Sequence, residues 1–361
     1  MEVREEEKLK GIGKKVLEQV SKSENPKIDL PIRSLSNVYF DEKKGLIKLG
    51  DKSSQRYYFN TAHTKKFMQT LMVAAECRKI IKQDVTTSIR DLYYALKRTL
   101  PGSRENTFDE QSESDPIIED VEATLNMIRE KLHLKADRKG YMAGNIVIRD
   151  SGDRIDCSKM GSSGWAIPSN VEPEIIQFEQ VNADFVLVIE KDAVWQRLNE
   201  DKFWKKWNCL ILTGKGQPAR GARRLINRIR YELKLPIYVL ADNDPWGLYI
   251  FSVIKQGSIN LSFLSDRLGV PDAKYIGLVS TDAQNFSIPA NVSIKLNEQD
   301  KKRIKEMLDY IWFKPKEWQK ELKNMLKSGQ KYELEALSSK GIKFISDDYL
   351  PKKIKNKEFL S

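Results

Sequence analysis

The sequence predicts a multidomain α/β chain, a winged-helix domain followed by an α/β domain with a parallel sheet, and three observations predict it. Beyond residue 181, apolar strand-like runs alternate with helical patterns, as in chains that build parallel sheets. Two of those runs, Phe185 to Ile189 and Ile237 to Ala241, are continuous and β-branched, which suits strands buried on both faces. Between residues 64 and 160, three helical patterns precede a hairpin pattern, the ground plan of a winged helix. At 361 residues the chain is long enough for two or three domains.

Residues 1–63 read as an N-terminal arm. A charged helix covers about residues 4 to 22, and short alternating segments follow at Ser36 to Phe40 and Gln55 to Phe59. Residues 64–160 read as the winged-helix domain. Thr64 to Lys82 carries Phe67, Leu71, Ala74 and Ala75 at helical spacing. Ser88 with Asp91 three residues on forms a capping-box pattern for a second helix, whose apolar stripe is Ile89, Leu92, Tyr93 and Leu96. Asp115-Pro116 opens a third helix, Ile117 to Leu132. Gly144 to Ile148 and Arg154 to Cys157 then flank an Asp150 to Asp153 turn as the hairpin. Residues 161–180, rich in Gly, Ser and Pro, read as a linker with no GxSxG, GxGxxG or Walker A pattern.

Residues 181–361 supply the α/β domain with a helical extension. Strands are predicted at Phe185 to Glu190, Cys209 to Thr213 and Ile237 to Asp242, and helices at about 193–207, 221–233 and from Trp246. From Gln299 the chain is Lys-rich and amphipathic. Ile304, Leu308, Ile311 and Trp312 share one face of a packing or dimer-forming extension.

Composition narrows the function. With 40% hydrophobic and 31% charged residues, no stretch approaches the roughly eighteen apolar residues of a membrane span. The start, MEVREEEKLKGIGKKVLEQV, lacks the apolar core of a secretory signal, so a soluble intracellular protein is expected. Cys77, Cys157 and Cys209 are too dispersed for a zinc ribbon or disulfide framework, and His63 and His133 are isolated. Any metal would be held by oxygen. The net charge of +11 and pI near 9.2 point to a polyanionic partner, although a Lys/Glu/Arg-rich chain also suits thermostability.

Both apolar runs end on carboxylate, at Glu190 and at Asp242-Asn243-Asp244. Ligands of open α/β sheets gather at the carboxyl ends of strands. If the pleat continues, Asp242 and Asp244 point the same way and offer hard oxygens to Mg²⁺, with Glu190 as a third ligand. Asp-Asn-Asp-Pro is also turn and helix-capping chemistry. The segment Thr213 to Arg224 follows one strand and opens a helix, so Lys215, Arg220, Arg223 and Arg224 are candidates for phosphate, or alternatively a solvated helix face. In the second helix, Arg90 and Tyr94 lie four apart on one face, whereas Tyr93 joins the apolar stripe. A Tyr-Tyr pair is ordinary core packing. As a nucleophile, a phenol of ordinary pKa near 10 needs a cation close by, and Arg90 is placed to provide one.

Four motifs occur here in an order that resembles the A subunit of topoisomerase VI, the type IIB DNA topoisomerase related to the meiotic double-strand-break transesterases. They are Arg90-Asp91-Leu92-Tyr93-Tyr94, Ile189-Glu190-Lys191, Thr213-Gly214-Lys215-Gly216 and Ala241-Asp242-Asn243-Asp244-Pro245-Trp246-Gly247. The resemblance, covering about residue 65 to beyond 280, implies a CAP-like winged-helix domain bearing the catalytic tyrosine, then a Toprim domain. It implies that Tyr94 attacks a DNA phosphodiester with Arg90 beside it, leaving a 5′-phosphotyrosyl link. Glu190, Asp242 and Asp244 would hold Mg²⁺. It further implies a homodimer of A subunits in which the tyrosine of one protomer meets the metal site of the other. A separate GHKL-type ATPase B subunit would complete an A₂B₂ assembly on double-stranded DNA, cytoplasmic and nucleoid-associated, with no membrane partner. The stretch Gln217 to Arg220 departs from the family pattern. A break-forming transesterase without resealing, a Toprim metal nuclease and a noncatalytic DNA-binding scaffold are the competing readings.

Overall fold

The structure, a computed structural model, describes residues 2–361 and divides into two compact units. One comprises residues up to Tyr39, Lys48–Asp137 and Ile259–Phe263; the other comprises Phe40–Ile47, Arg138–Ser258 and Leu264–Ser361.

The first unit holds helix α1 (Glu2–Ser21), strands β1 (Lys27–Pro31) and β2 (Ser53–Tyr57), and helices α2 (Thr61–Lys82), α3 (Ile89–Leu96) and α4 (Ser114–Leu125). The predicted N-terminal arm is no separate piece. Leu9 and Ile12 of α1 and Ile28 and Leu30 of β1 are buried in one core with Phe67, Val73 and Cys77 of α2 and Leu92, Tyr93 and Leu96 of α3. The pattern at Ser36 to Phe40 becomes a helical turn, Leu35–Asn37, and a strand, Val38–Asp41. The third helix is shorter than its periodicity suggested. Asn126 adopts the left-handed conformation (φ 48°) that asparagine tolerates, which ends α4, and a short 3₁₀ turn resumes at Arg129–Leu132.

In the second unit, β3 (Tyr141–Gly144), β4 (Ile146–Asp150), β5 (Asp153–Asp156) and β6 (Ile176–Val181) precede β7 (Phe185–Ile189), α5 (Asp192–Glu200) and β8 (Cys209–Thr213). Helix α6 (Arg220–Glu232), β9 (Ile237–Leu240), α7 (Pro245–Gln256) and β10 (Lys274–Gly277) complete the α/β part. A six-stranded mixed sheet runs in the order Trp165–Ala166, β3, β8, β7, β9, β10. Strands β8, β7, β9 and β10 are parallel, and β3 joins β8 antiparallel. Every residue of β7 and β8 is buried, the environment their continuous apolar sequences anticipate.

Two expectations need correction here. The hairpin expected to be the wing, now β4 and β5, lies in the second unit, where β6, β4 and β5 form a three-stranded antiparallel sheet. The 161–180 stretch is no free linker. It contributes the Trp165–Ala166 strand and most of β6, with Trp165, Ile167, Val171 and Ile176 buried. In the extension, α8 (Glu298–Asp309) buries Ile304 and Met307, but Ile311 is 48% exposed. The helix stops at Asp309, so the turn Ile311–Phe313 no longer follows its face.

Candidate functional site

The acidic site grows directly from the parallel sheet. Val186 to Ile189 pair with Ile237 to Leu240, which brings Glu190 level with the start of the Ala241 to Asp244 turn. The Glu190 amide donates to the Leu240 carbonyl at 2.9 Å, and the Asp242 amide donates to Glu190 Oε2 at 3.0 Å. Asp242 is 4% exposed; its Oδ1 accepts from the Leu334 amide at 2.8 Å and its Oδ2 lies 3.1 Å from Lys191 Nζ. Asp244 caps α7, accepting the Gly247 amide at 2.6 Å, with Pro245 supplying the preset φ of the first turn. Capping and acidic clustering therefore coexist. Gly247 is required by close packing, since a Cβ there would collide with the Asp242 carbonyl oxygen.

Burial and mutual repulsion set the electrostatics. Glu190 is pushed up to about 7 by burial, then by the Asp242 charge, against the hydrogen bond from the Asp242 amide. Burial raises Asp242 to about 6, against the Leu334 amide and Lys191, and burial also raises Asp244 above the ordinary aspartate range. Lys191, with Glu333 Oε2 at 3.8 Å and Glu335 Oε2 at 3.7 Å as further neighbours, is a cation in contact with Asp242.

Glu190, Asp242 and Asp244 are hard oxygen donors of the kind a divalent cation takes, with Lys191 beside Asp242 and Lys331 acting on Asp244. Among the described residues no His, Cys, Asp and Glu group stands gathered as a ready cage. Lys191 holds Asp242 Oδ2, and Asp244 serves the helix cap. Binding a cation would replace the lysine contact at Asp242.

The tyrosine site is built on α3. Ser88 Oγ accepts the Asp91 amide at 2.9 Å and donates to the Asp91 carboxylate at 2.7 Å, so the predicted cap forms with hydroxyl rather than amide as the return donor. Tyr93 is 5% exposed, and its hydroxyl donates to the Asp109 carbonyl and accepts from Lys97 Nζ, both at 2.9 Å. Tyr94 is 59% exposed and rests edge-on against Tyr93 with centroids 5.0 Å apart. Arg90 is likewise exposed, one turn earlier on the same face. Lys97, three residues beyond Tyr94, was missed from sequence. The Tyr93 hydroxyl holds its ammonium above the ordinary lysine range, and the i,i+3 spacing was the available signal.

The basic segment divides. Lys215 and Gly216 both take left-handed conformations (φ 53° and 82°), and the Gly216 amide donates to the Glu190 carbonyl at 2.9 Å. Lys215 Nζ lies 4.4 Å from the Tyr141 ring centroid and 3.6 Å from Asp192. Arg224 is committed to Glu172 through two contacts, at 3.0 and 3.1 Å. Arg220 begins α6, and Arg223, one turn on, is 3% exposed. The structure thus unites Glu190, Asp242 and Asp244 in one cluster and Arg90 and Tyr94 on one helix face, and withdraws Arg224 into an internal pair.

Comparison with known proteins matches residues 65–134 to the family described as type IIB DNA topoisomerase. Residues 139–182 match an all-beta domain in DNA topoisomerase VI alpha subunit, and 185–354 match the Toprim domain shared by Spo11 and the topoisomerase 6 A subunit. The A subunit of type 2 DNA topoisomerase 6 from Pyrococcus abyssi is 49% identical, covering 98% of this chain and 94% of its own. That of Hyperthermus butylicus is 44% identical over 96% and 93%. The A subunit of DNA topoisomerase 6 from Arabidopsis thaliana is 36% identical over 92% and 75%.

Proposed function

Because the chain belongs to the family of topoisomerase 6 A subunits, we propose that its chemistry is reversible DNA cleavage with Tyr94 as the nucleophile and an acidic site for a metal. It is the DNA-cleaving and rejoining A subunit of a type II topoisomerase. The observation that carries the residue assignment is the division of labour in the tyrosine pair: Tyr93 is hydrogen-bonded into the core, and Tyr94 faces solvent with Arg90 one turn away.

In the proposed step Tyr94 Oη loses its proton and forms a bond to phosphorus, while the bond from phosphorus to the 3′ oxygen breaks. The products are a 5′-phosphotyrosyl link and a 3′-hydroxyl. The link conserves the bond energy needed for rejoining. Arg90 supports the attacking phenolate or the phosphate it approaches. Glu190, Asp242 and Asp244 would hold Mg²⁺, which when bound supplies charge stabilisation at phosphorus and at the departing oxygen. Lys191 keeps Asp242 compensated in the absence of that charge.

The helices α2 to α4 are read as the core of a CAP-like winged-helix module, supported by their three-helix core and the exposed face of α3. Two A subunits would cut opposite strands, each tyrosine working with its partner's carboxylates. A GHKL-type ATPase B subunit in an A₂B₂ assembly would couple ATP to strand passage. Among the described residues no helix is long and apolar enough to cross a membrane, and a nucleoid location would follow from the DNA substrate.

Relaxation of supercoiled plasmid by the chain with an ATPase B subunit, ATP and Mg²⁺ tests this reading. Relaxation that stops on chelation is expected. Persistent linear product without relaxation would identify a break-only enzyme, and hydrolytic cutting without a protein-DNA adduct would identify a nuclease.

A further inference from the structure

Helix α9 (Lys316–Ser328) carries a carboxylate on its buried face. Trp318, Leu322 and Met325 recur at helical spacing and are 2% exposed or less, and Glu321 stands among them at 6%. A carboxylate so placed loses its hydration and needs hydrogen bonds in return. Three donors converge on Glu321 Oε1: Asn243 Nδ2 at 2.8 Å, the Ser280 amide at 2.6 Å and Ser280 Oγ at 2.7 Å. An apolar residue would fill the stripe at less cost if packing were the only requirement.

Asn243 stands between Asp242 and Asp244 and is 1% exposed. Its amide donates to the Tyr332 carbonyl at 2.8 Å, and its carbonyl accepts the Tyr332 amide at 3.1 Å. Its side-chain nitrogen carries two hydrogens and faces two acceptors, Glu321 Oε1 and the Leu278 carbonyl at 3.4 Å. Two residues beyond Tyr332, the Leu334 amide reaches Asp242 Oδ1 at 2.8 Å. The chain beyond β10 therefore holds the acidic turn by backbone and by side chain. Each residue has two soft backbone dihedrals, so rotation at Asn243 would re-aim Asp242 against Asp244. A buried side chain pinned to a carboxylate removes that freedom.

We propose that Glu321 is a positioning residue for the metal site: through Asn243 it fixes the backbone between Asp242 and Asp244 and so sets the separation of their carboxylates. The inference rests on the reading of Glu190, Asp242 and Asp244 as metal ligands. It extends that site to a helix 78 residues from Asn243 in the sequence. The helical extension, expected only as a packing or dimer-forming element, then takes a share in the chemistry without touching the ion. Because one oxygen of Glu321 accepts all three contacts, glutamine can reproduce them and alanine cannot.

Equilibrium binding of Mn²⁺ to the full chain, followed by the electron paramagnetic resonance signal of the free ion, tests this. Mn²⁺ shares the octahedral oxygen preference of Mg²⁺. Glu321→Ala is expected to raise the Mn²⁺ Kd about tenfold, and Glu321→Gln to stay within about twofold of wild type. Asn243→Ala should match Glu321→Ala, and the double alanine variant should bind no more weakly than either single, since both act through one contact. A purely structural role would lower the melting temperature of the metal-free chain and leave Kd in place. An unchanged Kd in folded Glu321→Ala therefore overturns the proposal. So do equal losses in the glutamine and alanine variants, or additive losses in the double variant. Should Glu321→Ala fail to fold, Asn243→Ala carries the comparison, and an unchanged Kd there overturns the proposal equally. Glu190→Gln is titrated in parallel. If it binds Mn²⁺ as wild type does, or wild type binds none, the metal reading falls and the role of Glu321 with it. Binding that Glu190→Gln abolishes and Glu321→Ala leaves untouched sinks the role of Glu321 alone.

Discussion

Tyr94 and the acidic cluster are held in opposite ways. Tyr94 stands on an eight-residue helix with 59% of its surface exposed and the edge of Tyr93 against its ring. The carboxylates stand at the ends of strands β7 and β9, anchored by backbone amides from Asp242, Leu334 and Gly247. The metal site proposed above would need ligands at short, defined distances, and carboxylates tied to backbone amides at adjacent strand ends suit that need. In the proposed mechanism Tyr94 would form a covalent bond to DNA and later release it, which needs access first. Loss of Tyr94 should therefore cost chemistry without stability, whereas changes at the acidic cluster should alter both.

The largest effect breaks the comparison most cleanly. Tyr94→Phe should abolish the covalent protein-DNA adduct trapped by denaturant while shifting stability by less than about 0.5 kcal/mol, as for an exposed surface change. Tyr93→Phe should do the reverse, retaining the adduct and losing about 1 kcal/mol with its hydrogen bonds to Asp109 and Lys97. If the adduct survives Tyr94→Phe and vanishes with Tyr93→Phe, the assignment of the pair is inverted.

At the acidic cluster, Glu190→Gln keeps an acceptor for the Asp242 amide but removes a crowded charge. It should lower Mg²⁺-dependent cleavage at least about 100-fold and raise the melting temperature of the metal-free chain, because repulsion with Asp242 is relieved. Wild type should gain thermal stability from Mg²⁺ and lose it on chelation; the variant should gain little. An equal Mg²⁺ shift in both would remove Glu190 from the ligand set.

Gly247→Ala sharpens the dependence of that cluster on backbone packing. Its Cβ meets the Asp242 carbonyl oxygen, so a loss of about 1–3 kcal/mol and weaker Mg²⁺ stabilisation are expected by calorimetry. Ser88→Ala has the smallest expected effect, about 1 kcal/mol from the lost cap of α3, measured by denaturant unfolding. Adduct formation should persist, because the cap does not touch the Tyr94 face.

What the sequence made legible follows from locality. Strands β7, β8 and β9 were readable because burial on both faces leaves continuous apolar runs, and Tyr93 and Tyr94 separated because helical period divides adjacent residues between faces. The affiliation of the β4–β5 hairpin was not readable. It depends on pairing with β6 across more than twenty residues, a contact no local pattern encodes. Arg223 and Arg224 look equivalent in sequence, yet Arg224 pairs with Glu172 while Nε and Nη2 of Arg223 are buried without a hydrogen-bond partner. Lys191 was half legible: it directly follows Glu190, but its contact with Asp242 requires the parallel register of β7 and β9.

The proposal that each tyrosine acts with its partner's carboxylates is tested most directly by mixed protomers. Chains carrying Tyr94→Phe and Glu190→Gln, differently tagged and purified together as heterodimers with the B subunit, leave one site with an intact tyrosine and intact carboxylates only if these come from different chains. The account predicts single-strand nicks and an adduct carried by the Glu190→Gln chain, while both homodimers remain inactive. A heterodimer that forms and binds DNA but yields no adduct would contradict it.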